Sequence, residues 1–355
     1  MFSSLSGSDS SDPLWIQLMA GVICFLSILG SLAIILTYVL VKDIRSKARE
    51  LLVHISLMDI MYSTANLVGL ALPYHKHLGP DNTRNMSSTS YMSYDRICQA
   101  QAAFGVYGTI GSVLWTLGLA VYLYYRIVSR DADVTKWAVR LLYIVCYILP
   151  LYPTLWLLFG HKLGYWQHAP LSGGGWCSVK DNIDPLVNFM TYDVWIWLGI
   201  ILIPLYISIH IRIREEIRQC NNDQDYQFLI INNPTFGRKE LKLLFVPVVF
   251  IILRVWDVIN STLFVYCDNC RPHQYLWLKI LTAIGDSGQG MFNFIIFFIF
   301  QPTLRALLMK CICCSCTTNK CKHLPVDDDD DDELDDSASL QYRSRTSSQF
   351  SQYTT

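Results

Sequence analysis

Residues 14–41 read LWIQLMAGVICFLSILGSLAIILTYVLV, 28 consecutive positions without a charged side chain. A bilayer hydrocarbon core of about 30 Å is crossed by about 20 apolar residues in a helix, so this stretch crosses with turns to spare. A helix apolar on every face over such a length belongs inside a membrane, not at the surface of a soluble domain. Six more segments of the same kind follow, at 51–73, 97–128, 137–160, 187–211, 241–266 and 275–300. In hydrocarbon, only helices and closed barrels satisfy their own backbone, and these lengths suit helices. The expected fold is therefore an all-α membrane protein, a seven-transmembrane helix bundle over 14–300. A short segment, 1–13, precedes it, and 301–325 and 326–355 follow.

Composition agrees with that class. Hydrophobic residues make up 52% and charged residues only 16% of the chain, a balance that suits a membrane protein better than a globular enzyme. No enzymatic chemistry, cofactor or nucleic-acid partner is expected. The net charge of −1 hides an asymmetry. One set of loops carries thirteen basic residues: Lys42, Arg45, Lys47 and Arg49, then Arg126, Arg130 and Lys136, then Arg212, Arg214, Arg218, Arg238, Lys239 and Lys242. The opposite set carries six: Lys76, Arg84, Arg96, Lys162, Lys180 and Arg271. The positive-inside rule then places the N-terminus outside and the C-terminus in the cytoplasm. Residues 1–13 lack a basic n-region, so the first span is expected to act as an uncleaved signal anchor.

With that topology the twelve cysteines sort by compartment. Cys98, at the outer end of the third span, and Cys177, in the loop after the fourth, face an oxidising space and are expected to form a disulfide, unpaired thiols being the alternative. Cys267 and Cys270 bracket a short C-D-N-C in the last outer loop, where a disulfide is possible but tight. Asn85-Met86-Ser87 is a glycosylation sequon in the first outer loop. Past the seventh span, Gln301–Lys310 patterns as an interfacial amphipathic helix, with Leu304, Leu307 and Leu308 on one face and Arg305 and Lys310 on the other. Cys311, Cys313, Cys314, Cys316 and Cys321 follow it directly. Their C-x-C-C-x-C spacing lacks paired C-x-x-C knuckles, so palmitoylation into the membrane lipid is favoured over zinc. The acidic run Asp327–Asp332 and the Ser/Thr-rich end beyond it predict a disordered tail. Its serines and threonines are candidate substrates of receptor kinases, with arrestin as the partner that would read them.

Polar residues within the spans carry the functional expectation. An ionised side chain at mid-span costs on the order of 3 kcal/mol and faces the bundle interior or a wet cavity. Arg254 and Asp257 lie three apart in the sixth span. Asp286, Gln289 and Asn293 share one face of the seventh, and Asp193 lies near the outer end of the fifth. Asp193, Arg254, Asp257, Asp286 and Gln289 are the candidate ligand cavity or switch. A purely structural neutralisation of Arg254 by a carboxylate is the competing reading, and Arg254 is expected to bridge to Asp257 or Asp286. Asp59 and Asn66 add polar groups in the second span. Pro247 is a candidate hinge in the sixth span and Pro204 a kink in the fifth. Gly105, Gly108 and Gly111 allow a close helix neighbour along the third.

Several segments resemble secretin-like and cyclic-AMP-receptor-like G-protein-coupled receptors. WTLGLAVYLY (Trp115–Tyr124) is similar to the family's W-x-x-x-E-G-L-Y-L, Gln289-Gly290 to its Q-G, and Trp176-Cys177 to its conserved-cysteine loop. Orphan receptors of this class also resemble RSKAR (Arg45–Arg49), LGY (Leu163–Tyr165) and VPVVFIILRVW (Val246–Trp256). The resemblance implies an extracellular ligand, a heterotrimeric G protein of perhaps the Gq type with a phospholipase C and calcium output, and a plasma-membrane or ciliary location. Three departures stand out. Leu119 replaces the family's Glu, so its polar latch to the second span cannot form in the same way even with His54 present. Phe250 stands where a P-x-x-G motif has Gly, and the short N-terminal segment lacks a hormone-capturing ectodomain. A seven-helix transporter is the alternative, though no repeat relates the two halves. A retinal sensor would need a lysine at mid-depth, and Lys279 lies too near the outer end of the seventh span.

Overall fold

The computed structural model describes residues 14–42, 45–71, 88–126, 132–166, 176–179, 194–219, 245–266 and 276–300. These lie in the first of two compact units, 1–304, the second being 305–355. The described elements are nine helices and one hairpin: α1 (Leu14–Leu40), α2 (Lys47–Ala71), α3 (Ser88–Tyr124), α4 (Ala132–Ile148), α5 (Leu151–Phe159), β1 (Leu163–Trp166), β2 (Trp176–Val179), α6 (Val194–Gln219), α7 (Phe245–Tyr266), α8 (Leu276–Ser287) and α9 (Gln289–Phe300). Among the described residues, Trp15–Leu40, Lys47–Ala71, Met92–Tyr124 and Lys136–Phe159 are long and apolar enough to cross a bilayer. The bent pair α8–α9 makes a fifth crossing when taken as one span.

α1 shows how the bundle is oriented. Leu18, Val22, Leu29 and Leu36 are exposed, as a lipid-facing stripe requires, while Cys24, Ser27, Ser31 and Ile34 are buried. The inward stripe is small and polar because α9 comes very close. A side-chain carbon on Gly290 would collide with Ser31 and with the Ser27 backbone, and one on Gly30 would meet the Gly290 carbonyl at 2.9 Å. Close backbone approach through small residues is how helices associate where lipid competes for every apolar surface. At the C-terminal end of α1, the Arg45 side chain donates to the Tyr38 carbonyl at 3.1 Å and to the Val39 carbonyl, capping the last turn.

α3 is the centre of the bundle, touching α2, α4, α6, α7 and the hairpin. Trp115, Leu119 and Leu123 are fully buried and join Leu51, Leu52, Ile55 and Met58 of α2 in the largest apolar cluster. The hairpin β1–β2 is antiparallel, with Tyr165 opposite Cys177. Period-two alternation turns Cys177 and Val179 to the same face, where they bury with Leu163 against Cys98, Ala102 and Leu157.

The expected spans differ from the structure in position and in two breaks. The second begins four residues early at Lys47, the third nine early at Ser88, and the fifth extends to Gln219. The segment 137–160 is interrupted by a turn at Leu149–Pro150, because prolines 150 and 153 cannot donate to the preceding turn. α5 then stops in a Schellman arrangement. His161 adopts φ 53, its N–H reaches the Leu158 carbonyl at 3.2 Å, and the Lys162 N–H reaches Leu157 at 2.9 Å. The segment 275–300 bends by 64° at Gly288, as glycine permits. Pro247, the candidate hinge, is buried on α7 two residues after Phe245, where the description of that helix begins. Pro204 lies inside α6.

Candidate functional site

Five helices bring polar side chains to one level of the bundle. Arg254, on α7, is 4% exposed and forms an ion pair with Asp286 of α8. Its second nitrogen, Nη2, points to the Gln289 Oε1 of α9 at 3.4 Å. The other Asp286 oxygen accepts from the Tyr62 hydroxyl of α2 at 2.8 Å. Gln289 Nε2 donates to Ser112 Oγ of α3 at 2.7 Å, and Ser112 in turn donates to Asp59 Oδ1 of α2, also at 2.7 Å. Asn293 Nδ2 of α9 completes the chain on Asp59 Oδ2 at 3.1 Å. Each carboxylate thus accepts on both oxygens, and the Ser112 hydroxyl is used as acceptor and donor together.

Arg254 suits this position because its guanidinium stays charged, spreads that charge over a plane and can serve several acceptors at once. Its charge also lies 5.3 Å from the Tyr62 ring centre and 6.0 Å from that of Phe250. The ring faces attract it electrostatically. Phe250, which departs from the family's glycine, therefore gives the guanidinium an aromatic neighbour one turn earlier on α7.

Of the sequence candidates, Arg254, Asp286 and Gln289 meet in this network. Asp257 lies half-buried one turn later on α7, and Arg254 forms an ion pair with Asp286. Asp193, Asn85, Cys267, Cys270 and the cysteines from Cys311 to Cys321 fall outside the described residues. Cys98 and Cys177 form a disulfide with Cα atoms 5.2 Å apart, fastening β2 to the N-terminal part of α3. Sequence reasoning left Ser112 and Tyr62 out of the site. Serine and tyrosine are ordinary in spans, and only the partner identifies them.

A second cluster, shared by α2, α3 and α4, is built differently. His54 stacks on Trp115 with ring centres 4.5 Å apart, and Tyr143 and Tyr147 of α4 stand edge-on to both rings. His54 Nδ1 shares a 2.6 Å hydrogen bond with the Tyr147 hydroxyl. Tyr143 donates to Glu50, which pairs with Lys47 at 2.8 Å. Leu119 is fully buried in the neighbouring apolar cluster. With no Glu at 119 on α3, His54 finds its partner on α4.

Comparison with known proteins places this architecture. Residues 14–292 match the model of the seven-transmembrane receptor (secretin) family. The chain is 28% identical to G-protein coupled receptor 157 of Rattus norvegicus over 317 residues, covering 84% of this chain and 86% of the rat protein. It is 24% identical to G-protein coupled receptor 1 of Arabidopsis thaliana, covering 79% of this chain and 77% of that one. Cyclic AMP receptor-like protein B of Dictyostelium discoideum is 27% identical, with 53% of this chain and 38% of that protein covered. The match takes in every described helix except the end of α9, and the chain belongs to the secretin family of seven-transmembrane receptors.

Proposed function

We propose that this chain is a G-protein-coupled receptor with seven spans and its N-terminus outside the plasma membrane. An extracellular ligand enters the outer half of the bundle and biases a two-state equilibrium. The inner ends of the third, fifth and sixth spans, with their basic loops, receive a heterotrimeric G protein. The observation that carries this reading is the buried chain Asp59–Ser112–Gln289–Arg254–Asp286–Tyr62, which links α2, α3, α7, α8 and α9. Directional bonds across that many helices have a few discrete arrangements, which is what a switch between two packings requires. The names of the relatives support G-protein coupling.

The finer elements of this reading are a Gq-type partner with phospholipase C and calcium output, glycosylation at Asn85, and palmitoylation at Cys311, Cys313, Cys314, Cys316 and Cys321. Phosphorylation of the tail, read by arrestin, completes it. A direct test is nucleotide exchange on purified Gq, Gi, Gs and G12 heterotrimers by the receptor in lipid nanodiscs. Exchange above that of empty discs is expected, strongest on Gq. No exchange on any heterotrimer would overturn the reading.

A further inference from the structure

The polar chain has a direction, and Arg254 sets it. A guanidinium only donates, so the Gln289 amide turns its Oε1 toward Arg254, 3.4 Å from Nη2, and its Nε2 toward Ser112. Ser112 Oγ accepts that amide hydrogen. Its own single hydrogen goes to Asp59 Oδ1 at 2.7 Å. Asn293 Nδ2 donates to the other Asp59 oxygen at 3.1 Å. Asp59 therefore meets a donor at each oxygen, which suits an ionised carboxylate, a group that only accepts.

That charge is costly where it sits. Asp59 is 3% exposed, and the two groups bonded to it are neutral. The guanidinium at this level, Arg254, is already paired with Asp286. Around Asp59, its own helix contributes the Tyr62 phenol, α7 contributes Arg254 and Asp257, and α8 contributes Asp286. The Cys24 thiol of α1 lies against Asn66 and Ser287, and α3 and α9 present the neutral Ser112 and Asn293. Two buried carboxylates, Asp59 and Asp286, thus share one cation. A buried carboxylate without a cation of its own escapes the cost by taking up a proton.

The longest contact in the chain is the 3.4 Å approach of Arg254 to Gln289. Once it breaks, the Gln289 amide is free to rotate and offer Oε1 to Ser112. The Ser112 hydrogen then turns to Gln289, and Asp59 Oδ1 loses its donor. We propose that Asp59 is the proton acceptor of this switch, ionised while Arg254 holds Gln289 and protonated from the aqueous phase when that hold is released. Its new O–H donates to Ser112 Oγ, so the chain runs in the opposite direction with every link kept. The proposal rests on the receptor reading above and adds a regulator to it, the proton. The released arrangement binds one proton more, so acid favours it.

Infrared spectroscopy of the full-length receptor in lipid nanodiscs, titrated with pH, tests this directly. The readout is the C=O stretch of a protonated carboxylic acid, assigned to Asp59 by its loss in Asp59→Asn. In wild type the band should be absent at neutral pH and grow in on acidification. Arg254→Lys keeps a positive charge for Asp286 and lacks the second arm that holds Gln289. Its Asp59 band should appear at about tenfold lower proton concentration than in wild type, the factor for one lost charge-assisted hydrogen bond. Ser112→Ala, which leaves Arg254 in place, should shift the band in the same direction. Ser112→Thr should return it to the wild-type position, with thermal melting confirming that each variant is folded. An Asp59 band already present in wild type at neutral pH, a band absent at every pH, or one unmoved in either Arg254→Lys or Ser112→Ala would overturn the proposal. The measurement needs no G protein, so its failure and a failure of coupling are separate results.

Discussion

Two regions of the same helix pair, α2 and α3, are built on different principles. Ser112 and Asp59 meet in a chain of hydrogen bonds that runs through five helices. Less than two turns away, Trp115 and His54 meet ring on ring, in a box closed by two tyrosines with a single internal hydrogen bond between His54 and Tyr147. Side-chain hydrogen bonds between helices in a membrane average only about 0.6 kcal/mol. An aromatic pair adds about 0.5–1.5 kcal/mol beyond its buried area. The aromatic box therefore contributes more to cohesion per contact. The polar level contributes a preference for particular partners, since a carboxylate and a guanidinium can exchange partners whereas a packed indole can only be displaced.

The largest effect should come from the polar side. Arg254→Ala leaves Asp286 buried without its cation, a change worth about 3–5 kcal/mol when one half of a buried pair is removed. Surface staining should fall well below wild type, and adding Asp286→Asn should recover part of it. A single variant delivered like wild type would mean that the polar level holds no committed charge. Cys177→Ser should come next. A bridge across a sequence separation of 79 residues contributes about 4 kcal/mol or somewhat less through loop closure. Dithiothreitol should lower the melting temperature of wild type but leave the variant unmoved. The smallest effect belongs to Tyr147→Phe, which removes one neutral hydrogen bond of about 1 kcal/mol and keeps the ring. It should lower the melting temperature slightly and leave signalling unchanged. Altered signalling there would erase the contrast, because the aromatic box would then switch as well.

The first four spans and the bent pair α8–α9 were legible in the sequence because hydrocarbon imposes length and apolarity on a crossing helix. Their ends were less so. Lys47 and Ser88 begin helices in polar sequence, where hydropathy carries no signal and neighbouring helices decide. The break at Leu149–Pro150 had a visible cause in two prolines, which apolar length concealed. Within the site, Arg254, Asp286 and Gln289 stood out because charge and amide groups are rare in spans. Tyr62 and Ser112 did not, since either residue packs comfortably in any span and becomes part of the site only through a partner on another helix. The departure at Leu119 was readable as the loss of a latch. Its consequence, His54 bonded to α4, depends on three-dimensional proximity that spacing along one helix does not encode.

The central claim is that rearrangement of the Arg254 network governs output. It is tested most directly by second-messenger signalling, as inositol phosphate, calcium and cyclic AMP, normalised to surface receptor. Arg254→Lys keeps the charge and loses the planar donor, and Asp286→Asn keeps the shape and loses the charge. Arg254→Lys should reach the membrane like wild type and Asp286→Asn, which leaves the guanidinium buried without its anion, in reduced amount. Per surface receptor, both should signal at a basal level different from wild type, with Tyr147→Phe unchanged beside them. Wild-type signalling in Arg254→Lys and Asp286→Asn alike would show that the network only holds the helices together.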